Sequence, residues 1–331
     1  AAIAALRVSR RLLLAEAPVQ VGQVWLPAPL ILAAGMVKGE GFADEMEALA
    51  ALSAGRNLIP GWKSVPALVG AVEFGSYTRY PRLGNPGTVL WRDPATRSTQ
   101  NRVGLRNPGA RAAAAFLGER RWQLPPVYGI NIAVSPGVSD LKQEQVEVLE
   151  SLAMFVEQRV LPTWFTLNLS CPNTEDDPTG HQTEARTRLL CAAVIAYLRA
   201  AAPDVPLWVK VGPDLDATQY EILMRVFAEV GVAAVIATNT LGQPAPDQPE
   251  ELAGVGGGRI HAPALAAVEA LTRAGGTGTV DVIGCGGVID GAAYQAYRAR
   301  GAKAVQYWSA LVYRGPLAAA HILHEWKQTY G

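Results

Sequence analysis

The chain has 331 residues, half of them hydrophobic, with 29 basic and 29 acidic side chains balancing to zero. That length suits one large α/β barrel or two ordinary domains, and without a net basic charge or a dense Lys/Arg stripe nothing points to nucleic acid. Three scattered cysteines and four histidines supply no disulfide framework, no C-x-x-C pair and no H-E-x-x-H spacing, so a reducing compartment and no metal site are expected.

In chain order, residues 1–14 are Ala/Leu-rich and carry Arg7, Arg10 and Arg11. They read as an amphipathic helix that packs on its own protein, with a peripheral membrane helix or a targeting remnant as the alternatives. No run approaches the length of a transmembrane helix. From residue 30 onward short apolar runs alternate with helical patterns. Expected strands are 30–34, 68–78, 128–134, 164–170, 207–211, 233–239, 280–285 and 304–309. Helices follow near 41–54, 108–118, 139–158, 182–202, 216–230, 262–274, 290–300 and 315–328. Eight strand–helix pairs in one unbroken series predict a parallel sheet that closes into a (β/α)8 TIM barrel. The strands are nearly continuous apolar runs rather than alternating ones, as strands covered by helices are. No Pro/Gly/Ser linker divides the series, so 1–28 is expected as a short helical extension and 29–331 as a single barrel domain.

Such barrels carry their sites where the carboxyl ends of the strands converge. Here those ends bring Gly35 and Lys38, Thr78 with Asn101 in the loop beyond, Asn131, the motif Asn168-Leu169-Ser170-Cys171-Pro172-Asn173, Lys210, Thr238-Asn239-Thr240, Gly284-Cys285-Gly286-Gly287 and Trp308-Ser309. Lys210 lies inside the apolar run Trp208-Val209-Lys210-Val211. An unpaired buried ammonium is costly, and no Asp or Glu ends a neighbouring strand. A bound anionic or electron-accepting ligand is therefore expected as its partner, in preference to a core carboxylate. Glycine-rich turns after the seventh and eighth strands suit a phosphate, because their backbone N–H groups can close on its oxygens. No G-x-G-x-x-G fingerprint follows an early strand, so a mononucleotide such as FMN fits better than NAD. Cys171, at the exit of a buried strand between two amides, reads either as a turn cysteine or as a proton-transfer group.

From Pro29 to about Trp326 the chain resembles the FMN-dependent dihydroorotate dehydrogenases. The motifs that carry the resemblance are L-A-A-G…K at 32–38, G-N-P at 84–86, N-R-V-G-L-R-N at 101–107, G-I-N-I at 129–132, N-L-S-C-P-N-T at 168–174, V-K-V-G-P-D-L at 209–215 and A-T-N-T at 237–240. The resemblance implies oxidation of dihydroorotate to orotate in pyrimidine biosynthesis. Asn101, Asn168, Asn173, Asn239, Thr240, Lys38 and the backbone at Gly104 and Leu105 would bind the pyrimidine. Ala34, Gly35, Thr78, Asn131, Lys210, Thr238, Gly257, Gly286, Gly287, Trp308 and Ser309 would hold FMN. Cys171 would be the base, with Lys38 and Lys210 assisting catalysis.

The family has two classes, and their features mix here. A cysteine base and V-G-L-R-N resemble the soluble class. Lys38 directly after the first strand, V-K-V-G-P-D-L and the extension before Pro29 resemble the membrane-associated quinone class. The resemblance thus implies quinone or fumarate as oxidant, a cytoplasmic protein with peripheral contact to the inner membrane through the first helix, and a homodimer by analogy to the soluble class. A dihydropyrimidine dehydrogenase-like activity and a non-catalytic flavin-binding scaffold are the alternatives. The polar stretch Glu175–Gly180 is expected either as a mobile cover over Cys171 or as an ordinary surface loop.

Overall fold

The structure is a computed structural model, and it describes residues 4–6, 8–9, 17–169, 183–275 and 278–331. The first two strands, β1 (Val19–Val21) and β2 (Val24–Leu26), form an antiparallel hairpin. Eight parallel strands then close a barrel: β3 (Leu30–Val37), β4 (Val72–Tyr77), β7 (Tyr128–Ala133), β8 (Trp164–Asn168), β9 (Leu207–Val211), β10 (Ala234–Ala237), β13 (Asp281–Cys285) and β14 (Ala304–Tyr307), with β14 pairing back to β3. The expected (β/α)8 barrel is therefore what the chain forms.

The crossover helices begin where the sequence supplies caps. Helix α1 (Glu45–Ser53) starts at Asp44, whose carboxylate accepts from Glu47 N at 2.8 Å. After the short α2 (Ser64–Val69) come α3 (Gly109–Gly118), α4 (Leu141–Glu157) and α5 (Glu184–Ala201). Helix α6 (Ala217–Val230) has a full capping box between Asp216 and Gln219 and stops at Gly231, whose φ of +94° is left-handed. Helices α7 (His261–Gly275), α8 (Gly291–Ala299), α9 (Ser309–Arg314) and α10 (Ala318–Tyr330) complete the ring.

Two expectations need correction, and one sheet was not foreseen. The second barrel strand starts at Val72 rather than at residue 68, because 64–69 is helical and is stopped by Gly70 at φ +94°. Within the segment expected as a helical extension, residues 19–26 are the β1–β2 hairpin. It contributes Val21, Val24 and Leu26 to a buried cluster with Ile31, Trp164, Trp208, Ile236 and Ile283, and so closes one end of the barrel. The long loops after β4 and β10 are not irregular. They carry β5 (Leu90–Asp93), β6 (Ser98–Asn101), β11 (Leu241–Pro244) and β12 (Leu252–Gly257), which join as one antiparallel sheet in the order β11-β12-β6-β5. A strand such as Ser98-Thr99-Gln100-Asn101 has no apolar alternation, so its pattern gives no strand signal.

Candidate active site

The barrel interior is polar at mid-height. Lys210, 6% exposed on β9, donates from Nζ to Gln306 Oε1 at 3.1 Å and lies 3.6 Å from Cys285 Sγ. Gln306 Nε2 donates in turn to Glu73 Oε2 at 3.2 Å. Glu73, fully enclosed on β4, also accepts from Trp164 Nε1 at 3.0 Å, Thr166 Oγ1 at 2.7 Å and Asn131 Nδ2 at 2.8 Å. Lys210 thus meets an amide and a thiol, and the carboxylate of Glu73 stands one amide further on. Barrel closure brings β4, β9 and β14 to a common centre that strand-end comparison does not see. Glu73 did leave a sequence signal, an acidic residue in the middle of an apolar strand, of the same kind that singled out Lys210.

Above this network opens a cavity of about 460 Å³, a size ordinary for a small-molecule or cofactor site. Of the residues expected at the site, Ala34, Gly35, Lys38, Asn101, Leu105, Asn168, Lys210, Thr238, Asn239, Thr240, Gly257, Gly286, Gly287, Trp308 and Ser309 all line it. The antiparallel sheet contributes Asn101, Thr99 and Gly257, and β12 pairs with β6 through Gly254 opposite Asn101 and Gly257 opposite Ser98. Asn101 Nδ2 donates to Gly254 O at 3.2 Å, and Asn239 Nδ2 to Asn168 Oδ1 at 3.4 Å.

Thr78, Gly104 and Asn131 do not line the cavity. Thr78 Oγ1 donates to Tyr80 O at 2.6 Å and accepts from Asn107 Nδ2 at 2.8 Å, so its hydroxyl is already engaged. The Gly104 carbonyl accepts from Arg82 Nε at 3.3 Å. Asn131 is fully enclosed between β4 and β8, with Nδ2 on Glu73 and Oδ1 without a hydrogen-bond partner. Cys171 and Asn173 lie outside the described residues, as does Glu175–Gly180. Thr99, whose hydroxyl is 2.7 Å from Ser309 Oγ, lines the cavity without having been expected as a site residue, and Cys285, in the turn expected at this face, lines it too. Burial raises the Cys285 thiol above its ordinary value although Lys210 opposes this, so it remains a neutral wall group.

Part of the cavity wall is bare backbone. Gly257 has φ +84°, and a Cβ there would sit 2.5 Å from Arg97 O and 3.2 Å from Ser309 Oγ. Gly287 has φ +66°, and its Cβ would meet His261 Cβ at 2.7 Å and Gly257 O at 2.8 Å. Only glycine fits both positions, and backbone N–H groups exposed in this way suit phosphate oxygens. With the held ammonium of Lys210 and the amides of Asn101, Asn168 and Asn239, the wall fits a ligand with a phosphate and a polar ring.

Fold and cavity together define a (β/α)8-barrel protein with a cavity at the carboxyl ends of the strands. The dihydroorotate dehydrogenase family profile matches residues 17–329. The chain is 32% identical over 312 residues to a dihydroorotate dehydrogenase (quinone) of Chromobacterium violaceum, covering 91% of this chain and 83% of that protein. It is 35% identical over 262 residues to a protein of the same name from Leifsonia xyli subsp. xyli, covering 76% and 73%. The crystal structure of ligand-free DHODH from Eimeria tenella superposes with a TM-score of 0.76 at 24% identity, over 94% of this chain and 86% of that one, a likeness of fold. The chain belongs to the dihydroorotate dehydrogenase family.

Proposed function

We propose that this protein oxidises dihydroorotate to orotate, with FMN in the cavity and a quinone as the final oxidant. The observation that carries this reading is the convergence of Lys38, Lys210, Asn101, Asn168, Asn239 and Thr240 on one cavity walled by the glycine backbone of residues 257, 286 and 287. When bound, FMN supplies the two-electron acceptor for the hydride that leaves C6 of the substrate. The asparagine amides each offer donors and an acceptor, which suits an uncharged cyclic diamide without burying further charge. Lys38 supplies the positive charge that the substrate carboxylate requires. Lys210, fixed by Gln306, is a preorganised cation in a low-dielectric site, suited to negative charge that develops during the reaction. Cys171 takes the C5 proton as general base. A free thiol has a pKa of about 8.5, so only a minor thiolate fraction works near neutrality and the rate rises with pH.

The choice of quinone rests on the names of the two similar bacterial enzymes, and a quinone acceptor favours a position at a membrane surface. Among the described residues no helix is long and apolar enough to cross a membrane.

An anaerobic titration of the holoprotein with dihydroorotate tests this reading. Bleaching of the flavin absorbance by dihydroorotate but not by dihydrouracil, and re-oxidation by a short-chain quinone but not by fumarate, are expected. Absence of bleaching overturns the activity, and re-oxidation by fumarate alone overturns the acceptor. If Cys171→Ala is reduced at the native rate, with no pH dependence in either form, the base lies elsewhere.

A further inference from the structure

The Gly286 carbonyl takes donors from two different helices. Tyr297 of α8 donates its hydroxyl to Gly286 O at 2.6 Å, and His261, at the start of α7, places Nδ1 3.1 Å from the same oxygen. A carbonyl only accepts, so Nδ1 of His261 carries the proton. Burial holds the Tyr297 phenol well above its ordinary value, so its hydroxyl keeps the proton it donates. The two rings meet edge to face, with centroids 5.5 Å apart. Neither ring lines the main cavity, whereas Gly286 and Gly287 both do. The carbonyl therefore points out of the cavity, toward the helices. In a planar trans peptide the N–H lies on the side opposite the C=O, so the Gly287 N–H is turned toward the cavity. This peptide joins two glycines at φ +137° and +66°, a pair that offers little backbone resistance to turning over.

We propose that Tyr297 and His261 are positioning residues for the phosphate end of the cofactor: by holding the Gly286 carbonyl from outside the cavity, they keep the Gly287 N–H aimed into it. Turned over, the same peptide presents a carbonyl oxygen to the phosphate and exchanges attraction for repulsion. Neither side chain needs to touch the ligand. This inference rests on the FMN reading above.

The consequence is confined to the phosphate, and that separates positioning from packing. Riboflavin has the same ring system and ribityl chain as FMN but no phosphate. A peptide that serves the phosphate must change the binding of FMN and leave riboflavin nearly untouched. A general loosening of α7 and α8 would weaken both flavins alike. Tyr297→Phe keeps the ring and its edge contact with His261 and removes only the hydroxyl. His261→Ala removes the second donor, whereas His261→Asn returns an amide N–H to the place where Nδ1 stood.

The test is titration of each flavin-free full-length protein with FMN and with riboflavin, followed by flavin fluorescence, with circular dichroism as the check on folding. The unsubstituted protein is expected to prefer FMN. Tyr297→Phe/His261→Ala is expected to bind FMN about tenfold to a hundredfold more weakly, the range for one lost hydrogen bond to a charged group, and to bind riboflavin as before. Tyr297→Phe/His261→Asn is expected to recover part of the preference. An unchanged preference in the folded Phe/Ala variant overturns the assignment, and so does an equal weakening of both flavins. If that variant does not fold, Tyr297→Phe alone decides on the same two criteria. An Asn variant no better than the Ala variant removes His261 from the assignment. No flavin binding by the unsubstituted protein, or no preference for FMN, overturns the FMN reading along with it, whereas a native preference that survives in the folded variants overturns the role of Tyr297 and His261 alone.

Discussion

Trp164 and Trp208 stack inside the barrel with ring centroids 4.3 Å apart and planes inclined by 17°. Trp164 Nε1 donates upward to Glu73, and Trp208 Nε1 donates at 3.0 Å to the carbonyl of Gly22 in the β1–β2 turn. The pair thus ties the hairpin that closes one end of the barrel to the charge network under the cavity. Both rings are fully enclosed, and Trp208→Ala would leave a large void that neighbouring strands cannot fill. A loss of about 3–5 kcal/mol is expected in urea unfolding. A loss below about 1 kcal/mol would mean that the hairpin does not depend on this contact.

Lys210→Met keeps most of the side-chain volume and removes the charge. Gln306 Oε1 then loses the ammonium that donates to it, at a cost of about 1–3 kcal/mol for a buried acceptor left unsatisfied. With FMN bound, stopped-flow reduction by dihydroorotate should slow roughly 10²-fold, the effect of removing one preorganised electrostatic group. Native reduction kinetics would show that Lys210 is structural only.

Gly257→Ala places a Cβ 2.5 Å from Arg97 O in a backbone with φ +84°. The turn must shift, and the wall it forms shifts with it. The purified variant should retain little flavin while its far-ultraviolet circular dichroism stays native. Full flavin retention would remove this turn from the cofactor site.

Acid sensitivity is expected from the contact between α8 and α10. Two hydrogen bonds from the Arg314 guanidinium hold Glu325 below the usual carboxylate range. The Gly291 N–H at 3.0 Å adds to this, and burial and Asp290 oppose it. A lowered folded-state value means that the stabilisation is complete above the ordinary carboxylate value near 4.5 and is lost as pH falls through the lower one. The Tm difference between the native chain and Glu325→Gln should be largest near neutrality and shrink below pH 4.5. A constant difference across that range would count against the linkage.

Burial pushes the Cys191 thiol up to about 12, so it stays protonated near neutral pH. Iodoacetamide should leave Cys191 unmodified in the folded protein and modify it on unfolding, as read by peptide mass spectrometry. Fast native labelling would show that α5 opens locally.

The barrel was legible in the sequence because each of its strands is a continuous apolar run followed by an amphipathic helix, a pattern that depends on local spacing alone. The span 207–211 is the same in expectation and structure, and helix limits at Asp140 and Asp216 follow from their capping side chains. Most cavity residues were legible too, since Lys38, Asn168, Lys210, Asn239 and Gly287 all stand at the carboxyl ends of strands. The antiparallel sheet over the cavity was not legible. Strands β5, β6, β11 and β12 are short, polar or glycine-rich, and their two hairpins meet only across a long stretch of intervening chain, as the bond from Gln100 Nε2 to Gln243 O illustrates.

The sequence by itself determined the strand–helix rhythm, the placement of amides and lysines at one face and the glycines that bare the cavity wall. Local spacing and backbone sterics suffice for these. Only the tertiary structure decided that Glu73, Asn131, Gln306 and Lys210 form one hydrogen-bonded group. Their strands lie far apart in the chain, and only closure of the barrel brings a carboxylate, two amides and an ammonium within hydrogen-bonding reach.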